Sequence, residues 1–121
     1  YADSASASQC RFLYYQEKRS KEPLFQMNAA SYGWLWQSHR LNRNLQKKAW
    51  RRISCPTRIF QAENETYVSK KEQERFVNKL CRRKRIDAKL IRVKGSKHEI
   101  FNSDPKTLEA YWDKILSYFK A

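Results

Sequence analysis

The chain has 121 residues, a length suited to one domain with a modest core. Hydrophobic residues make up 40%, with four Trp, seven Tyr and six Phe, which excludes a disordered basic tail. Lys and Arg number 26 against 12 Asp and Glu, a formal charge of +14, which favours acidic partners (nucleic acid, anionic lipid or acidic protein) and says nothing of fold.

No apolar run approaches membrane-spanning length, and no charged-then-apolar leader opens the sequence. The first residue is Tyr1, and only Gly33 and Gly95 supply glycine. An α/β enzyme uses more glycines for turns and close backbone approach. The expectation is therefore a piece of something longer. Cys10, Cys55 and Cys81 are odd in number and widely spaced, with no CxxC pair, so buried or half-buried free thiols are expected rather than a disulfide framework.

Residues 1–20 have a polar entry and a partial stripe of Phe12, Leu13 and Tyr15, which predicts a helix ended by Pro23. Residues 24–33 form a connection closing at Gly33. The next stretch, WLWQSHRLNRNLQKKAWRRI, is helical in character, with Trp34, Leu41, Leu45 and Ile53 on one face and basic residues on the other. Pro56 breaks that period, and TRIFQA is a short β-prone run. Ser69 and Glu72 have capping-box spacing ahead of a helix whose inner stripe is Phe76, Val77 and Leu80. RRKR at 82–85 predicts a solvated charged loop or helix end. DAKLIRVK alternates and predicts a second strand. Asp104 suits an N-cap and Pro105 the first helical position. Leu108, Tyr111, Trp112, Ile115, Leu116 and Phe119 then share one helix face.

The second half is thus β-α-β-α, and two strands joined through a helix should run parallel with a right-handed crossover. Ligands in such sheets lie beyond the carboxyl ends of the strands. The segments there are AENETYV, with Glu63 and Glu65, and KGSKHEIF, with His98. A carboxylate and a histidine on neighbouring strand ends can form the orienting half of a hydrolytic triad, because the carboxylate accepts the imidazole N–H and fixes its tautomer. The order, acid before histidine, is that of the α/β-hydrolase triad.

PTRIFQAENETYVSKKEQERF and RVKGSKHEIFNSDP resemble the C-terminal half of the lysophospholipase L2 and monoacylglycerol-lipase group of α/β hydrolases. That group has a strand ending in LLQAE or similar before the acid loop, and a KGAYHE-like turn at the histidine. Upstream, RFLYYQEKRSKEPLFQMNAASYGWLWQS is similar to the family's cap segment, so the likeness covers nearly the whole chain. The resemblance implies an α/β fold: residues 1–53 as a helical cap and residues 54–121 as the C-terminal βαβα part of the core. It places the triad acid on Glu65, with Glu63 as fallback, and the base on His98, with Glu99 supporting the loop. Where the family has glycine-glycine-proline before its cap-turn tyrosine, this chain has Asn28-Ala29-Ala30-Ser31, so that turn can differ.

The nucleophile is absent, since two glycines as far apart as Gly33 and Gly95 cannot form G-x-S-x-G. The early oxyanion-hole segment is missing too. The resemblance therefore implies the acid-and-base portion of a serine ester hydrolase, inactive alone, whose serine lies in a missing N-terminal half. It implies lysophospholipid or monoacylglycerol as substrate, with Tyr32, Trp34, Leu35 and Trp36 as apolar wall under the cap. It implies neither a cofactor nor a metal. The positive charge suits peripheral association with an anionic membrane surface, at the inner membrane or in the cytoplasm of a bacterium. Lys94 and Lys97 could meet phosphate head groups, though solvated charge is the plainer expectation, and His39 is expected to be a solvated helix residue. The competing readings are a basic nucleic-acid-binding module, which lacks any recognised motif, and a non-catalytic remnant of the hydrolase fold with an exposed sheet edge and an uncovered apolar face.

Overall fold

Thr57–Asn64 forms strand β1 and Ala88–Lys97 strand β2, joined through helix α3, Lys70–Cys81. The computed structural model describes residues 1–26, 29–83 and 86–120. Within them the two strands pair in parallel and are each other's only strand partners. Helix α1 (Gln9–Lys21) and helix α2 (Tyr32–Lys47) precede the sheet, and helix α4 (Pro105–Lys120) follows it. The architecture is mixed helix and strand, compatible with an α/β class.

Alternation along the strands sends successive side chains to opposite faces. Ile59 and Leu90 pack with Val77, Leu80, Ile86 and Ala88 on the α3 side, where Trp50 and Ile53 also close in. Phe60 packs with Ala62, Val93, Ile100 and Tyr111 on the α4 side. The Phe60 and Tyr111 rings meet edge to face at 4.9 Å, a favoured aromatic geometry. Among the described residues Leu80 is the largest side chain wholly removed from water. Between the strands and α3, buried Gln61 donates through Nε2 to Lys70 O (3.2 Å) and Gln73 Oε1 (2.8 Å), and its Oε1 accepts from Arg92 Nε (3.3 Å). Every polar atom of that amide is therefore satisfied, as a buried amide requires.

The helix starts follow the capping residues. Ser8, Ser31 and Ser69 each accept from the amide three residues on, which satisfies an orphan donor of α1, α2 and α3. Asp104 does the same for Thr107 at 3.1 Å. At Ser69 one half of the expected capping box forms; the Glu72 carboxylate holds Arg75.

Several expectations are corrected. The first helix begins at Gln9, because residues 1–8 are drawn across the fold: Ser8 N and Ser6 Oγ both donate to Asn102 O at 2.9 Å. Gly33 lies inside the first turn of α2 and closes no connection. Helix α2 ends at Lys47, so Ile53 leaves the proposed shared face and joins the α3 core; Trp34 and Leu41 stay exposed. All three cysteines are exposed. Of the α4 stripe, Leu108 is buried and Tyr111 and Ile115 half-buried, while Trp112, Leu116 and Phe119 face outward. Of RRKR, Arg82 caps α3, and Arg83 donates to the carbonyls of Arg51 and Ile53, tying the chain before β1 to the end of α3. Lys84 and Arg85 lie outside the described residues, as does Asn28 of the cap turn.

Candidate active site

Parallel pairing puts the carboxyl ends of both strands on one edge. Glu65 is the first residue beyond β1 and His98 the first beyond β2. Their approach depends on an irregularity in the ladder. Register holds from Thr57↔Ala88 to Ala62↔Val93 and then jumps to Asn64↔Lys97, so β2 carries two more residues than β1 over this step. Gly95, in the extra segment, has φ +72, a backbone region that other L-residues enter at a cost. Its amide donates to Glu63 Oε2 at 2.8 Å. Ser96 Oγ, fully buried, donates back to Val93 O at 2.6 Å.

The acid loop is shaped by Glu65 itself. The amides of Tyr67 (2.9 Å) and Val68 (3.2 Å) donate to its Oε1, and α3 starts directly afterwards from Ser69. His98 Nδ1 stands 2.9 Å from each Glu65 carboxylate oxygen. The Glu65 side chain is only 3% exposed against 39% for His98, so the acid is sheltered and the imidazole looks out. Burial pushes the Glu65 carboxyl up, but the hydrogen bonds from His98, Tyr67 and Val68 and the histidine's charge outweigh it and hold its pKa below the ordinary value. An ionised carboxylate only accepts, so the proton of this contact sits on Nδ1, and Nε2 is the ring nitrogen turned away from the carboxylate. Nε2 has no hydrogen-bond partner among the described residues. The Tyr67 ring lies against the imidazole at 5.0 Å and 38°.

The loop after His98 is clamped from the far end of the chain. Glu99 N donates to Ala5 O (3.0 Å), and Lys97 Nζ donates to Ala2 O (2.6 Å). Glu99 Oε2 accepts from Asn102 Nδ2 (2.7 Å), so Glu99 braces the loop. An open groove of about 520 Å³ runs between residues 4–6, α1 and this loop, with Phe12, Tyr15, Tyr67 and Phe101 among its walls and Arg19 at its side. Tyr67 belongs to both the groove and the histidine's surroundings.

The structure thus brings together Glu65 and His98. It places Glu63 on Gly95. Tyr32, Trp34, Leu35 and Trp36 stand exposed on the first turns of α2 and do not line this groove. Lys94 is exposed, and His39 lies exposed on α2. Ser6, Tyr67 and Asn102 were not singled out from sequence. Only Tyr67, an aromatic two residues after the acid, carried a signal. Among the described residues no three His, Cys, Asp or Glu side chains converge to hold a metal ion.

No protein-family model matches the chain, and no match was found among curated proteins or solved structures.

Proposed function

We propose that the chain is the acid-and-base portion of a serine ester hydrolase of the lysophospholipase or monoacylglycerol-lipase type, its nucleophilic serine supplied from outside this sequence. The observation that carries the reading is the His98–Glu65 pair at the ends of two parallel strands, with Nδ1 committed to the carboxylate and Nε2 left open. In this scheme Nε2 takes the serine proton as the acyl-enzyme forms and returns it to the departing alcohol. Glu65 holds the tautomer and stabilises the imidazolium.

The aromatic groove beside Tyr67 suits the apolar part of an ester substrate, and its volume is in the range of small-molecule sites. The parent works at the periphery of an anionic membrane, at the inner membrane or in the cytoplasm of a bacterium. Among the described residues no helix is long and apolar enough to cross a bilayer. The chain alone hydrolyses nothing, having a base without a nucleophile to activate.

The test is fluorophosphonate labelling of an extract from the source cell, with peptide mass spectrometry of the labelled proteins. A labelled protein containing the Glu65 and His98 peptides together with a G-x-S-x-G serine is the expected result. Finding these peptides only in an unlabelled protein of this length overturns it.

A further inference from the structure

Helix α2 contains no buried residue. It is held at its C-terminal end, where Lys79 Nζ donates to Gln46 O (3.1 Å) and Gln46 Oε1 (3.0 Å). Trp34, Leu41 and Leu45 recur at the spacing of one helix stripe, and Trp34 and Leu41 are more than half exposed. Arg40, Arg43 and Lys47 fall on the opposite side, and Lys48 follows. From Pro23 to Ala62 the sequence has no Asp or Glu at all. These four basic residues make no ion pair among the described residues.

We infer that α2 is an interfacial helix that lies on an anionic lipid bilayer, with Trp34, Leu41 and Leu45 in the acyl boundary and Arg40, Arg43, Lys47 and Lys48 drawn to the head groups. Charge complementarity selects this occupant: an acid-free cationic helix meets a uniformly anionic surface without repulsion. Tyr32 and Trp36 project away from the Trp34 stripe, on the side of Arg43 and Lys47, and are also exposed. Trp and Tyr are amphipathic rings that favour the head-group level of a bilayer interface. The inference rests on the proposed peripheral association for its purpose, but its test requires no catalysis, so either can fail without the other.

The experiment is co-sedimentation of the chain with vesicles of phosphatidylcholine alone, and of phosphatidylcholine mixed with phosphatidylserine, at low and physiological salt. Duplex DNA serves as a competitor. Binding confined to the anionic vesicles and weakened by salt is expected. Replacing Arg40, Arg43, Lys47 and Lys48 by Gln should lower partitioning at least about 100-fold, each basic residue being worth about fivefold. Trp34→Ala with Trp36→Ala should lower it about tenfold. Circular dichroism confirms that the variants keep their helices. Equal binding to neutral and anionic vesicles overturns the inference, as does unchanged binding by the four-Gln variant. DNA binding that displaces the vesicles overturns it in favour of a nucleic-acid partner.

Discussion

His98 Nδ1 is equidistant, at 2.9 Å, from the two carboxylate oxygens of Glu65, a residue 33 positions earlier in the chain. The pair is made by topology: parallel strands bring both residues to one edge, and the two-residue irregularity at Gly95 lets β2 reach across. The same carboxylate also holds the Tyr67 and Val68 amides, so the acid is oriented on its own loop as well as by the histidine.

The Glu65 carboxyl should titrate below the ordinary 4.5. The sign follows from the depressed folded-state pKa: the stability it contributes is fully present above the unfolded value and is lost as pH falls through the folded one. Carboxyl carbon NMR on the wild-type chain reads the value directly. In His98→Ala the hydrogen bond and charge are gone while burial remains, so the Glu65 value should rise; an unchanged value would contradict the pairing.

In the parent hydrolase proposed above, His98→Ala should lower kcat/KM by about 10⁴-fold or more, with little change in substrate binding. Glu65→Gln preserves shape but no longer stabilises the imidazolium, and should cost about 10²–10⁴-fold. Glu63→Gln, whose carboxylate meets Gly95, should cost far less. Ester hydrolysis assays on the three variants decide between Glu65 and Glu63 as the acid.

Gly95→Ala places a Cβ at φ +72 and 3.3 Å from Thr107 Oγ1. Backbone strain of this kind costs about 1–3 kcal/mol. Urea unfolding should show a loss in that range, together with a shifted His98 ring resonance in the folded state, since the irregularity sets the histidine's approach.

Leu80→Ala should lose about 2–5 kcal/mol, because Leu80 is wholly buried between α3 and the sheet. Leu116→Ala, on the outward face of α4 and half exposed, should change stability by about 0.5 kcal/mol or less. Equal losses at the two sites would mean that the α4 face is covered in solution.

Cys10, Cys55 and Cys81 are exposed. All three should react with a thiol reagent in the native state without denaturant. Protection of Cys55 or Cys81 would restore the buried-thiol expectation.

Local signals carried much of the fold. Pro56, the β-prone TRIFQA, the alternating DAKLIRVK and the stripe of Phe76, Val77 and Leu80 each act over a few residues, and the β-α-β-α order follows from them. Asp104 with Pro105 marks the start of α4 for the same reason. The site was legible where it followed from that order, since an acid and a histidine just past parallel strands must share an edge. Glu63 and Glu65, two residues apart, could not be told apart by position; which one turns to His98 depends on where Gly95 sits across the ladder.

What the sequence by itself determined is the alternation of strands and helices, the caps and the excess of cationic charge, because each is a property of neighbouring residues or of the chain's sum. Only the tertiary structure decided that residues 1–8 brace the histidine loop through Asn102, that Arg83 closes onto Arg51 and Ile53, and that half of the α4 stripe and nearly all of α2 face outward. An apolar period announces a face that favours burial, but whether another element arrives to cover it is settled by long-range packing that no local pattern encodes.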